Sequence, residues 1–510
     1  PQGNGFIRKR GTSPAGTVTL GAVSLPFSTG STSGTLELSK ASVDWSTNGG
    51  LAMTVLADHL DLPLVIGSRT LTLSGDAPRM GMATGRGAPK LSARLGATVF
   101  DGTLVPAKVS AESFAFDGSS GKGGLSGNLN ANGVLIQDYR SDPLYQPLIS
   151  DMTATLTNGQ LVMTGPLRLK TGGTTVADTT INLDVVKLNG TAAIRSRPLT
   201  FRPGGLQPVM LSEKLRGVFT LASGDASAKA DVDIVSGKLS ATGDVTIEKF
   251  GFQTTRLGRI ESVNGKVRFS DLLELTTDRG QVVTVGSLSI GVPLTDGRIQ
   301  FHLDKGKVIG VEKAGFPFAG GRIALAPLQW TLGGKDQRVE VTADAIELSQ
   351  LVAVLKLPDV QATGTVSGTF PVDFVGSEVQ VRDALLAADA KGGRIAYTGD
   401  AVNSAADSDP NAKLAFDALK DLQFSVLKIG LSGDLMSRTV ASVHLIGRNT
   451  QPLAFGKKLT MPKGQAFEFN LTLDSDLTEL FKSGSYAAQQ DKFVKMVVDM
   501  ANDKDNRPDE

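Results

Sequence analysis

Between Ala230 and Val311 apolar residues recur at every second position. They are Val232 and Ile234, Leu239 and Ala241, Val245 and Ile247, Val267 and Phe269, Leu273 and Leu275, Leu288 and Ile290, and then Ile299, Phe301 and Leu303. Residues two apart in a strand face the same side, so each segment has one apolar face and one polar face. The polar positions hold Asp231 and Asp233, Lys266 and Arg268, Ser287 and Ser289, and Arg298, Gln300 and His302. Asn264-Gly265, Asp296-Gly297, Ser236-Gly237 and Arg279-Gly280 read as the turns between segments. Asn-Gly and Asp-Gly favour the type I′ turn, whose twist matches that of paired strands. The pattern predicts an antiparallel meander with a long apolar surface on one side.

Composition supports a repetitive sheet over several aromatic-filled cores. The 510 residues include 59 Gly, against a typical share of roughly 7%, but only 4 Tyr and 2 Trp. Lys plus Arg number 52 and Asp plus Glu 51, so no basic excess calls for nucleic acid. The one basic run, Arg8-Lys9-Arg10, is too short to carry weight. With no Cys there are no disulfides, thiolate metal sites or Cys nucleophile. No run of about 18 apolar residues is present to span a membrane as a helix.

The chain divides by pattern into four parts. Residues 1–150 form the least regular region of hairpins, with turns at Asn48-Gly49, Asp101-Gly102, Asp117-Gly118 and Asn132-Gly133 and a short helix expected within Leu51–Ile66, ended by Pro63. Residues 151–315 are the regular meander, interrupted by a long loop between Arg195 and Leu211. Residues 316–484 bring short helices. Asp344 and Glu347 suggest a capping box ahead of Leu348, Leu351, Val352 and Leu355, and a second helix is expected over Asn411–Leu422. Residues 485–510 read as a terminal helix, with Phe493, Met496, Val497 and Met500 on one face, and a disordered polar tail.

Catalytic and metal-binding signals are missing. The three His, at 59, 302 and 444, are isolated in sequence, and His302 lies on a polar strand face where a solvent-facing or hydrogen-bonded role is expected. No zinc-protease, nucleophile-elbow, Walker or dinucleotide-binding motif occurs. Asp231-x-Asp233 lacks the offsets of a calcium loop. We therefore expect no enzyme activity, no catalytic residues, no metal and no cofactor.

An apolar sheet face has to be covered by a second sheet, a bilayer or a ligand. A membrane-spanning barrel needs strands of about nine to eleven residues and aromatic girdles, which this composition does not supply. A closed sandwich and a curved open sheet remain, the latter with its inner face available to acyl chains.

The C-terminal third adds a resemblance. Pro317-Phe318-Ala319-Gly320-Gly321-Arg322-Ile323, Trp330, ATGTVSGTFPVDF (362–374), Gly392-Gly393-Arg394-Ile395-Ala396-Tyr397, KLAFDALKDLQF (413–424), Gly447-Arg448-Asn449 and FEFNLTLDSDLTELFKS (467–483) resemble the YdbH family of AsmA-like proteins. Upstream, Leu272 to Leu303 is similar too, so the likeness covers roughly residues 210–483. The chain has Asn449-Thr450 where the family commonly has Asn-Pro.

The resemblance implies an elongated, curved antiparallel β-sheet, a groove with a few short, mainly C-terminal helices. It also implies a periplasmic bridge that carries phospholipids between the inner and outer membranes. An inner-membrane anchor preceding Pro1 and a small outer-membrane lipoprotein at the C-terminal edge are its implied partners, the latter with Ala441–Ile446 and Ala466–Leu473 as its docking strands. The family's C-terminal module has also been labelled "dicarboxylate transport", for which a chain without membrane spans offers no route. The candidate lipid-binding residues are Val232, Ile234, Val245, Ile247, Val267, Phe269, Leu273, Leu275, Leu288, Ile290, Ile299, Phe301 and Leu303. The competing expectation is a structural or adhesive β-repeat protein of the envelope with a sealed core.

Overall fold

Alternating segments joined by short turns fold by pairing each strand with the next, and the computed structural model has this arrangement. It describes residues 3–476, leaving out 11–12, 30–31, 67–68, 103–106, 123, 255–256, 291, 333, 335, 358, 377, 400–409, 436–437 and 456–458. The protein is mostly β, 72% strand, in one large antiparallel sheet that is not closed into a barrel. Among the described residues two α-helices accompany it, α1 (Leu348–Val354) and α2 (Pro410–Leu419). The chain forms two compact units, Pro1–Ile247 with Arg268–Leu275, and Glu248–Val267 with Thr276–Glu510.

In the first unit, long extended segments run up and down and most of them bend midway. Ser13–Leu20 continues into Ala22–Thr29, Thr32–Ser39 into Ser42–Ser46, Ala52–Leu56 into His59–Ile66, and Arg69–Asp76 into Arg79–Ala83. The bends line up, giving two walls that meet at a fold line. Left-handed backbone at Lys40 (φ 47°) and Ala77 (φ 46°) turns two of the segments there. The line keeps its own hydrogen bonds: Leu20 N–H donates to Ala41 O (2.7 Å), Ala77 N–H to Asp58 O (2.9 Å) and Gly96 N–H to Asp76 O (2.8 Å). These bonds give backbone groups at the bends their partners, as a buried bend requires. Small or compact residues fill it, with Ala41, Pro78 and Thr98 buried, and the Thr98 hydroxyl donates to Gly96 O at 2.9 Å.

The second unit is built from the same kind of ladder and ends differently. Its last strands run Leu422–Asp434, Arg438–Asn449 and Ala466–Asp476 in spatial order. Here α1, α2 and the hairpin of Leu453–Phe455 with Leu459–Met461 accompany the sheet. Phe416, Ala418 and Leu419 of α2 pack into a core with Val366, Leu422, Leu445 and Phe469, all of them buried. The Phe416 ring lies 6.2 Å from that of Tyr397. This apolar face is sealed by helix.

Several local expectations are corrected. The helix expected within Leu51–Ile66 is instead two strands, because Leu60, Leu62 and Leu64 alternate and pair with Gly75, Leu73 and Leu71 across the ladder. Asn264-Gly265 and Asp296-Gly297 are not turns: both lie inside strands, Gly258–Asp271 and Val292–Asp304. At Gly297 a Cβ would collide with the ring of Phe316, so the glycine leaves space for that ring. Asp117-Gly118 and Asn132-Gly133 also fall within strands, the latter at a bulge between Ala131 and Val134. Leu273 and Leu275, expected in a strand, occupy a four-residue turn in which Leu275 has φ 53°. The capping box does not form. The strand Asp336–Glu347 stays paired through Ile346 and Glu347, leaving Asp344 opposite Arg322 and Glu347 itself at the N-cap with no side-chain cap. The second expected helix occurs as α2 and stops at Leu419, since Leu422 begins a strand. The terminal helix expected after residue 485 lies outside the described residues.

Candidate functional site

Strand register decides whether alternating residues add up to a surface. In the first wall of the first unit they do. Val18 pairs with Val43, Val43 with Val55, Val55 with Met80, Met80 with Ala93, and Ala93 with Phe116. The row continues through Leu129, Ala154, Met163, Ile181 and Ala192 to Val232. A second apolar row two positions on includes Trp45, Met53, Met82, Leu91, Leu156, Leu161, Leu183 and Ile234. The row between them, on the opposite face, holds Thr17, Asp44, Thr54, Ser92, Asp117, Asn128, Thr155, Asn182, Thr191 and Asp233, with Val162 as its one large apolar member.

The second wall repeats the pattern. Leu25 faces Leu36, Leu62 faces Leu73, and the row passes Phe100, Val109, Ile136 and Leu148 to Leu169. The two walls touch near the fold line, where the rings of Phe100 and Phe114 lie 6.5 Å apart. Leu25, Phe27, Leu36, Leu62 and Leu73 of one wall and Met80, Ala93, Leu95 and Phe114 of the other line a cavity of about 410 Å³. That volume is within the ~300–1,000 Å³ of typical small-molecule sites. Met80 and Ala93 belong both to the cavity and to the long row, so the row is on the cavity side.

Burial separates this face from a closed core. Along the first row only Ala154 is fully buried, and Val18, Val43, Val55, Met80, Phe116, Leu129, Met163, Ile181 and Val232 are all half-buried. A sealed sandwich buries such residues outright, as the core around Phe416 does in the second unit.

The polar face is held by cross-strand ion pairs. Arg94 reaches Asp117 at 2.5 Å and Arg168 reaches Asp151 at 2.6 Å, while Arg197 makes two hydrogen bonds of 3.0 Å to Asp178. The hydrogen bond from Arg197 holds the Asp178 carboxyl below its ordinary range. Near the fold line His59 Nδ1 lies 2.8 Å from Asp76 and Nε2 lies 3.4 Å from Asp61. Its bond to Asp76 raises the imidazole pKa. These pairs are exposed, and each contributes little to stability. His302 bonds Glu312 at 2.9 Å, the hydrogen-bonded role expected of it, and His444 bonds Glu468 at 2.9 Å. No cluster of possible metal ligands occurs among the described residues, and no helix of the described residues is long and apolar enough to cross a membrane.

The residues singled out from sequence fall as follows. Val232 and Ile234 belong to the two rows of the first unit. Val245, Ile247, Val267, Phe269, Ile299, Phe301 and Leu303 are half-buried strand residues. Leu288 stands between Ile260 and Leu294, and Ile290 is paired with Val292. Leu273 and Leu275 sit in the turn described above. The rows before Val232 and the cavity residues from Leu25 to Phe114 were missed. For the cavity the signal was present in Leu60-x-Leu62-x-Leu64 and Leu71-x-Leu73, in the region that reads as least regular, whereas the row residues from Ala154 to Ala192 lie in the regular meander and only their register shows that they join into one surface.

At the C-terminal end, Ala441–Ile446 cannot accept an added strand, because the strand containing it is already paired on both sides. Ala466–Asp476 pairs on one side among the described residues.

A family model described as YdbH-like, intermembrane phospholipid transport protein YdbH, matches residues 15–490. No curated protein and no solved structure gives a significant match.

Proposed function

Because this chain belongs to the YdbH-like family of intermembrane phospholipid transport proteins, we propose that it carries phospholipids through the periplasm between inner and outer membranes, with their acyl chains on the apolar inner face of its first unit. The observation that carries this reading is the in-register row from Val18 to Val232, apolar throughout and mostly half-buried. Exposing acyl chains to water costs about 0.8 kcal/mol per CH₂, so two sixteen-carbon tails amount to on the order of 20 kcal/mol. A groove that offers apolar contact at every strand removes most of that barrier. Apolar contact is non-directional, so successive positions are nearly equivalent and a lipid slides between them. Of the residues proposed from sequence, Val232, Ile234, Val245, Ile247 and Phe269 belong to the proposed lining of the first unit, and Val267, Leu288, Ile290, Ile299, Phe301 and Leu303 are proposed as lining within the second; Leu273 and Leu275 sit in their turn.

The sealed core around Phe416 supports a different role for the C-terminal end, as a fixed terminus. Among the described residues Ala466–Asp476 is paired on one side only, and an outer edge of this kind offers main-chain groups to an added strand, which suits a small outer-membrane lipoprotein as partner. The inner-membrane anchor belongs to the same proposal. That core also favours the second reading, a structural envelope protein without cargo. Mass spectrometry of the purified folded chain separates the two: phospholipid co-purifies with a carrier, and a chain free of lipid supports the structural reading.

A further inference from the structure

The first wall of the first unit ends in a rim whose chemistry acyl chains alone do not require. The connections at residues 47–51, 84–89, 122, 158–159, 185–188 and 236–237 contain no Asp or Glu, and the turn 272–275 beyond them, tied to Ala241 O by Leu272 N–H, brings Glu274. The former carry Arg86, Lys122 and Lys187, and Lys238 follows the last of them. In a chain with 52 basic and 51 acidic residues this is a local excess of one sign.

The tips stand in line. Thr84 N–H donates to Leu51 O at 2.8 Å, Val185 N–H to Gly159 O at 2.9 Å and Gly237 N–H to Leu188 O at 3.0 Å. Large aliphatic side chains are exposed along the same rim, Val186 at 66% and Val235 at 63%, with Leu51, Leu125 and Val185 beside them. Leu51 and Val185 stand two residues beyond Met53 and Leu183, so they continue the inner rows outwards. The nearest acid, Asp184, accepts hydrogen bonds from Val186 N–H (3.0 Å), Lys187 N–H (2.9 Å) and Gln160 Nε2 (3.0 Å), while Lys187 Nζ stays 3.9 Å away. That carboxylate is committed to its turn and leaves the lysine loosely held.

From fold line to rim, the first wall therefore passes two apolar rows, then exposed aliphatic residues, then the cations Arg86, Lys122, Lys187 and Lys238. A diacyl phospholipid presents tails, glycerol and phosphate in the same order. We propose that Arg86, Lys122, Lys187 and Lys238 form a row of contacts for the phosphate of a lipid whose tails lie on the inner face. This rests on the lipid-carrying reading above and adds a preference for phosphate-bearing lipids.

The test compares binding of phosphatidylglycerol with binding of diacylglycerol of the same acyl chains by the full chain at low ionic strength. The native chain should favour the phosphate-bearing lipid about fivefold, the worth of one cation beside an anionic headgroup, and added salt should remove the preference. The R86Q/K122Q/K187Q/K238Q variant should bind both lipids equally, with diacylglycerol binding unchanged. If that variant does not fold, the salt dependence of the native chain decides. Equal binding by the native chain, a preference insensitive to salt, or a preference that survives the four substitutions overturns the phosphate row. A variant that keeps the preference but no longer sediments with phosphatidylglycerol vesicles makes the rim a bilayer contact and also overturns it. A native chain that binds neither lipid contradicts the lipid-carrying reading itself.

Discussion

Ile181→Asp is expected to lower phospholipid binding at least about a hundredfold while leaving the sheet folded. Ile181 lies in the middle of the long apolar row, between Met163 and Ala192, and is half-buried. In the lipid-free chain an aspartate there keeps water on its open side, so folding loses only part of one aliphatic contact. An acyl chain laid across it strips that water and leaves a carboxylate without a counter-ion, at a cost of several kcal/mol. Even ~3 kcal/mol is about a hundredfold in affinity. Asn182→Asp is the control. Its side chain is exposed on the opposite face, in the polar row with Thr191, so binding should not change. Lipid titration and thermal unfolding of both variants check the pair of expectations. Unchanged binding by a folded Ile181→Asp chain would remove this row from the lipid path.

Phe416→Ala should have the reverse signature. Phe416 has no exposed surface and anchors α2 against Leu422, Leu445 and Phe469. Truncating a buried Phe costs about 3–5 kcal/mol through lost transfer energy and the cavity left behind. The second unit should lose that stability in denaturant unfolding, while lipid binding at the first unit stays within about twofold at temperatures where the chain is folded. A large loss of binding with little loss of stability would mean that this core handles lipid.

The contrast between these two residues explains how much of the protein was readable in its sequence. Period-two alternation identified the sheet and its antiparallel order, because the pleat forces side chains to alternate whatever the tertiary context. The sequence around Val232 and Ile234 reads as lining, and register places both in the long rows. Where alternation misled, a second requirement had taken over. Gly297 looks like a turn residue but makes space for Phe316, a contact between strands that no local pattern reveals. Leu51–Ile66 looked helical because apolar residues crowd it, and the bend at Ala57 and Asp58 breaks its alternation into two short strands. The fold line itself was invisible, since it arises from bends such as Lys40 and Ala77 whose alignment depends on register across many strands. For the same reason the cavity between Leu25 and Phe114 could not be assembled from sequence, although its leucines were individually in view.

The most direct test of the central claim uses two adjacent apolar residues that the pleat sends to opposite faces. Met163 belongs to the long inner row, and Val162, 45% exposed, stands on the polar face. A photo-crosslinking amino acid at each position, in cells of a Gram-negative host, asks which face meets lipid without relying on hydrophobicity to distinguish them. Phospholipid captured from position 163 and not from position 162 is the expected result. Capture at 162 alone, or at neither position in a folded chain, would contradict the account.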